Sequence, residues 1–158
     1  MTGLCSIGTH SRKNKVCIIG GDSHIGKHLQ QYLSNFGFEV VSTSRRNNHQ
    51  FFFDATAPNF EQFQNMDAIV YCASVSTFEE CQQDSKISEQ VNTIVPCRLS
   101  NFCEKHGIQF IYLSSAAVFS DAVEEKSINC TPNPSTIYGK QKLAAEKVEK
   151  IASGKAKR

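Results

Sequence analysis

An α/β fold built on a doubly wound, parallel sheet of the Rossmann type is predicted by three features of this 158-residue sequence. Short apolar runs alternate with stretches of helical periodicity. The runs are apolar on both faces. The first of them ends in glycines just where a helix begins. Strands that are apolar on both faces belong to parallel sheets covered on both sides. Right-handed crossovers then impose the doubly wound arrangement.

The elements follow in order. KVCIIGG (15–21) reads as a buried strand and a tight turn. Ile25, Leu29, Tyr32, Leu33 and Phe36 recur at helical spacing as one apolar face, and Gly37 ends that helix. FEVVSTS (38–44) is a second β-branched run, and FFFDA (51–55) a shorter third whose phenylalanines read as core strand, although one of them could wall a binding pocket, before a turn at Pro58. DAIVYCAS (67–74) is a further strand ending in small residues. Val91, Ile94, Val95, Leu99, Phe102 and Cys103 form a second helical stripe, closed by His106 and Gly107. IQFIYLSS (108–115) is a buried strand ending in hydroxyls. A polar segment with Pro132 and Pro134 leads to a last helix from about Ile137 to Ile151, with Leu143, Ala144, Val148 and Ile151 as its apolar set. The expected organisation is a loose leader (1–14), one dinucleotide-binding domain (15–152) and a frayed basic tail (153–158).

Composition narrows the function classes. Hydrophobic residues at 40% and charged residues at 20% fit a soluble globular chain. The net charge is +2, but 147–158 hold five basic residues against one acid, so the body carries −2 and offers no basic face for nucleic acid. No apolar run approaches the roughly 18 residues of a membrane span, and no signal-peptide core opens the chain. The seven cysteines are odd in number and lack a C-x-x-C pair, which argues against a disulfide framework or zinc knuckle. Cys17, Cys72, Cys97 and Cys103 lie in apolar stretches and read as small core residues in a reducing, cytoplasmic setting. His24 and His28 stand four apart on a helix, but no third ligand is near in sequence, so no metal is expected.

The turn Gly20-Gly21-Asp22-Ser23-His24-Ile25-Gly26 sits between a strand and a helix, where a dinucleotide fingerprint belongs. Gly20 makes the turn and Gly26 lets the helix pack on the sheet. His24 and Ile25 open the helix, whose free N–H groups and positive dipole end suit a pyrophosphate. Ser23 stands where a middle glycine is usual; it is small, and its hydroxyl can donate. The same residues also fit a plain strand-to-helix turn. At the end of the second run, Ser44, Arg45 and Arg46 replace the carboxylate that NAD sites use for the ribose 2′-hydroxyl. Cations and hydroxyls suit a 2′-phosphate, so NADP is expected over NAD. The bland alternative is two solvated arginines in a loop. Tyr138 and Lys142, four apart, share one helix face. A nearby ammonium favours the charged form of a phenol, which makes it a usable proton carrier. Ser114 and Ser115 end the preceding strand at the carboxyl edge, where ligands of open α/β sheets bind.

Four segments together resemble the extended short-chain dehydrogenase/reductase superfamily of nucleotide-sugar epimerases, dehydratases and reductases. IIGGDSHIGKHL (18–29) is similar to its glycine-rich turn, and IVYCAS (69–74) to the strand that lines the cofactor. YLSSAAVFSD (112–121) resembles its serine strand, and PNPSTIYGKQKLAAE (132–146) its YGxxK helix. Within the superfamily the likeness is to dTDP-4-dehydrorhamnose reductases, whose V-N pair resembles Val91-Asn92; it covers about residues 15–150. It implies that Ser115, Tyr138 and Lys142 are the catalytic trio. Asp54, with Ala55 beside it, would meet the adenine amino group, and Cys72, Ala73 and Ser74 the cofactor ribose. Lys142 would hold the nicotinamide ribose and tune Tyr138; Ser115 would bond the substrate oxygen. The substrate implied is a nucleotide-sugar or another small molecule. Ser23, Ala116, Ala117 and Ser120 depart from the pattern without touching the trio.

The resemblance also implies a partner half. Family members run to roughly twice this length, with a second lobe that grips the nucleotide-sugar. Three readings stay open: a naturally short protein, a part of a longer enzyme inactive alone, or a non-catalytic NADP-binding regulatory or structural subunit. A sheet cut before its last strands exposes an edge and an apolar patch. A homodimer, or a partner covering that edge, is therefore expected.

Overall fold

A computed structural model describes residues 13–45, 51–120, 127 and 129–153. Strands β1 (Lys15–Ile19), β2 (Glu39–Ser44), β3 (Phe51–Phe52), β4 (Ala68–Tyr71) and β5 (Gln109–Tyr112) form one sheet in the order β3-β2-β1-β4-β5. All pairings are parallel; Ile19 stands level with Thr43 on β2 and with Tyr71 on β4. Asp67 pins the lower edge: its carboxylate accepts from Lys15 N at 2.7 Å, its N–H donates to Lys15 O, and its carbonyl accepts from Gln109 N.

Helix α1 (His24–Asn35) carries the chain from β1 to β2; α2 (Phe78–Gln83), α3 (Ser85–Glu89), a π-helical turn (Gln90–Ile94) and α4 (Val95–His106) carry it from β4 to β5. These two crossovers leave β1 and β4 in opposite directions along the sheet. With right-handed connections they must cover opposite faces. On the α4 face, Cys17, Ile19, Ile69 and Tyr71 pack with Val95, Leu99 and Cys103. Val16 and Ile18 alternate to the other face and are buried as well. Helix α5 (Ile137–Ser153) closes the described chain and packs on α4. Among the described residues no helix is long and apolar enough to cross a membrane.

Several expectations need correction. The stripe on α1 does not face the core: Ile25, Tyr32 and Phe36 are 58%, 60% and 66% exposed, and Gly26 is the helix's buried residue. Periodicity finds an apolar face, but close approach at Gly26 decides which side of the helix meets the sheet. β5 is an edge strand, not one buried on both faces; Ile111 is 40% exposed. β3 shrinks to two residues, with Phe53 buried beyond it and Phe52 exposed. In α4's stripe, Ile94 is exposed. Helices α2 and α3 were not foreseen, although both are capped by their own sequence. Thr77 Oγ1 accepts from Glu80 N at 3.2 Å, and Asp84 Oδ1 from Ile87 N at 3.0 Å. In α5, Ala145 joins the core, while the side chains of Val148 and Ile151 lie outside the described residues.

The six described cysteines are free thiols. Cys17, Cys81 and Cys103 are buried, and burial pushes Cys17 and Cys103 up to about 12, which keeps them unreactive. The core and α1 are separable by substitution. Leu99→Ala should cost about 2–5 kcal/mol, because Leu99 is fully buried. Phe36→Ala should stay within about 0.5 kcal/mol. Urea unfolding midpoints at constant slope read both.

Candidate functional site

A cleft of about 570 Å³ opens where β1, β2, β3 and β4 end. It lies where the chain leaves β1 and β4 in opposite directions, the place where open α/β sheets bind ligands, and its volume suits a small molecule. The end of β1 and the turn after it contribute Ile19, Gly20 and Ser23; the end of β2 gives Ser44, with Arg45 next in sequence; the segment after β3 gives Phe53, Asp54 and Ala55; Ala73, Ser74 and Val75 follow β4.

Gly20 has φ +84°, and a Cβ there would stand 2.7 Å from Ala73 N. The turn can therefore lie against the segment after β4 only with glycine at this position. A Cβ on Gly26 would stand 2.3 Å from the carbonyl of Gly20. Ser23 is the N-cap of α1, and its Oγ accepts from Gly26 N at 3.0 Å. The serine thus satisfies one N–H of the first turn and keeps its own proton to donate. The N–H groups of His24 and Ile25, first in the helix, have no intrahelical acceptor. The side chains of His24 and Ile25 do not line the cleft. They sit with His28, Leu29 and Tyr32 on the outer flank of α1, where the two imidazoles are 4.6 Å apart.

Asp54 Oδ1 accepts both Thr56 N, at 2.8 Å, and Thr56 Oγ1, at 2.9 Å. The bond from the Thr56 backbone holds its carboxyl below the usual range, helped by the Thr56 hydroxyl and the Arg45 guanidinium. Ser44 is 3% exposed and Arg45 is exposed; Arg46 lies outside the described residues.

The remaining expected residues gather beyond the cleft. Thr136 Oγ1 accepts from Gly139 N at 3.0 Å and caps α5 ahead of Tyr138. Ser115 heads a 3₁₀ turn (Ala116–Val118), its Oγ accepting from Ala117 N at 3.2 Å. A Cβ on Gly139 would stand 2.1 Å from Ala117 O, so this turn rests directly on the α5 backbone beside Tyr138. Lys142 is 3% exposed. Its ammonium donates to Leu113 O at 2.7 Å and lies 4.3 Å from the Tyr112 ring centroid and 5.8 Å from that of Tyr138. Burial pulls Lys142 down to about 8, against the opposing pull of Cys72 and Glu146. Burial likewise pushes Cys72 up to about 11, with Lys142 opposing. Cys72 thus stands electrostatically between Ala73, in the cleft wall, and the lysine.

Phe53 stands in the cleft wall, the role left open to a phenylalanine of the third run, and some other contributors escaped sequence reading. Val75, Ile87 and Val91 complete the apolar wall. Asn92 is fully buried and Gln141 is 8% exposed. A polar residue within an apolar helical stripe was the available signal for Asn92; nothing in the spacing singled out Gln141.

Fold and cleft define an α/β protein with a parallel sheet and a cleft at the switch point of that sheet. The chain matches the RmlD substrate binding domain model over residues 14–156, and it belongs to that family. It is 22% identical over 140 residues to the spore coat polysaccharide biosynthesis protein SpsK of Bacillus subtilis (strain 168), a match over 88% of this chain and 49% of that one. MoeE5 in complex with UDP-glucose and NAD superposes with a TM-score of 0.82 at 24% identity, over 90% of this chain and 50% of that one. dTDP-4-dehydrorhamnose reductase from Bacillus anthracis str. Ames, in complex with NADP, gives 0.77 at 22%, over 91% and 51%. The chain spans about half the length of these relatives.

The buried lysine sets a pH dependence. Its folded value, about 8, lies below the ordinary 10.5. Between these values the unfolded chain binds more protons, so this group makes stability rise with pH across that window. Below about 8 the full cost of the buried charge is present. Lys142→Met should remove the alkaline rise, roughly 3 kcal/mol; urea titrations of both proteins from pH 7 to about pH 11 read the difference.

Proposed function

We propose that the chain binds NADP(H) and serves reduction or oxidation at a sugar carbon of a nucleotide-activated sugar, with Ser115, Tyr138 and Lys142 as its proton-handling groups. The supporting observation is the backbone contact of Gly139 on Ala117, which holds the Ser115 turn to the Tyr138 turn of α5. The cradle fits a dinucleotide: side chains at Gly20 or Gly26 would collide with backbone. Ser44 and Arg45 at the adenosine end, with no carboxylate on β2's last residue, support a 2′-phosphate.

The chain's own residues have separable tasks in this reading. Ser23 and the first N–H groups of α1 take the pyrophosphate. Arg45 takes the 2′-phosphate, and Asp54 the adenine amino group. When bound, the nicotinamide supplies or accepts the hydride. Ser115 orients the substrate oxygen, Tyr138 Oη gives or takes its proton, and the Lys142 ammonium holds the nicotinamide ribose and favours the phenolate. Lys142 must then exchange Leu113 O for ribose hydroxyls, a step that burial of the ammonium makes inexpensive only with a new acceptor.

A second reading, dinucleotide binding without turnover, is favoured by that same engagement of the Lys142 ammonium with Leu113 O. One experiment separates the readings. Fluorescence titration should show NADPH binding more tightly than NADH; the reverse order removes the NADP preference. Tyr138→Phe should lower turnover of a nucleotide-sugar by about 10²–10⁴-fold with NADPH affinity kept within a few fold. Unchanged turnover removes the catalytic role.

The open β5 edge, with Ile111 on it, and the bare Ile25-Tyr32-Phe36 stripe support self-association. Sedimentation at micromolar concentration should give a dimer, and a monomer would remove this part of the reading.

A further inference from the structure

Gln141 precedes Lys142 on α5 and is 8% exposed, and both ends of its side-chain amide are engaged. Its Oε1 accepts from Asn92 Nδ2 at 2.8 Å, and its Nε2 donates to Ser88 Oγ at 2.9 Å. Thr93 Oγ1 donates to the Gln141 carbonyl at 3.0 Å. Ser88 passes its own proton to Ser85 O at 3.1 Å. Asn92, fully buried in the π-helical turn, extends the chain of bonds to the cleft. Its Oδ1 accepts from Val75 N at 3.0 Å and from Ser74 Oγ at 3.2 Å, and its Nδ2 also donates to Val75 O at 2.8 Å. The primary amide of Asn92 is thereby saturated, with two bonds accepted and two donated. Ser74 and Val75 are part of the cleft wall. One continuous path of hydrogen bonds therefore joins that wall to the helix that carries Tyr138 and Lys142.

We propose that Gln141 is a positioning residue: through Asn92 it fixes the Ser74–Val75 wall of the cleft in register with the Tyr138 and Lys142 side of α5. It touches neither the cleft nor the trio's reacting atoms. Its consequence for dinucleotide affinity rests on the proposed cofactor reading; its consequence for the wall does not. A buried amide that bonds at both ends loses its geometry if either partner goes, because the remaining groups must then reorient to find new partners.

Two variants test this. Gln141→Met keeps the volume and removes both bonds. Ser88→Ala removes the far anchor and lies away from both Tyr138 and Lys142. In native-state hydrogen exchange, the Val75 amide should exchange roughly tenfold faster in Q141M, with the Cys72 amide, bonded to Ile19 O in the sheet, unchanged. S88A should give a smaller rise at Val75. NADPH dissociation constants should rise by roughly tenfold in Q141M and about threefold in S88A, and the double variant should match Q141M alone, since the path of bonds from Ser88 to the Ser74–Val75 wall runs through Gln141. A purely structural role would lower melting temperature and leave the Val75-to-Cys72 exchange ratio as it is; that result overturns the proposal, as do additive effects of the two variants. If the wild-type chain binds neither NADPH nor NADH, the cofactor reading fails by itself. The exchange ratio then decides the positioning role alone. If Q141M does not fold, an unchanged Val75 amide in S88A overturns the proposal and a faster one sustains it.

Discussion

Where β1 ends, the carbonyl of Gly20 lies so near α1 that no side chain fits at Gly26 between them. The same arrangement recurs across the molecule, where Ala117 O meets the backbone of α5 at Gly139. Both contacts set backbone directly on backbone, and each locates one half of the site. The first turns α1 so that its opening N–H groups face the end of the sheet. The second brings the Ser115 turn to the helix of Tyr138. Larger residues would have to move whole segments, because the obstructing atoms belong to main chain and cannot change rotamer.

The site is also shaped by where charge is permitted. Lys142 is buried with the Leu113 carbonyl as acceptor and the Tyr112 ring closer to its ammonium than the Tyr138 ring. Tyr112, the ring in question, has its own hydroxyl donated to Asn92 O at 2.8 Å, and burial pushes its phenol upward. Tyr71 makes the matching bond to Val91 O at 2.8 Å. Two tyrosines thus tie β4 and β5 to the π-helical turn, whose wider backbone leaves carbonyls free to accept. The buried ammonium therefore sits over this floor, and Cys72 favours its charged form.

Much of this was legible in the sequence, for physical reasons that also mark the limits. The strands declared themselves because a parallel sheet needs apolar residues on both faces, and Gly20 and Gly26 stood out because their spacing serves a turn and a close contact. Tyr138 and Lys142 were found through helical spacing. The outward stripe of α1 misled because periodicity carries no information about which neighbour a face meets. β5 was read as buried because edge position depends on topology, and topology is not written in four residues. Helices α2 and α3 were overlooked although Thr77-x-x-Glu80 is a capping box in plain view. Gln141 was invisible for a different reason. Its partners Asn92 and Ser88 lie 49 and 53 residues away, and a buried polar side chain announces itself only when its distant partners are in place.

The central place of β1 bears on synthesis at the ribosome. β1 is made early, yet one flank must wait for β2 and the other for β4, which ends at Tyr71. Until Tyr71 has cleared the exit tunnel, an apolar strand stands with one side open. Parallel pairings of this kind join late because loop closure precedes contact. The nascent chain therefore passes through a stage in which KVCII has no neighbour on its β4 side, an apolar edge of the kind that exposes folding intermediates to aggregation.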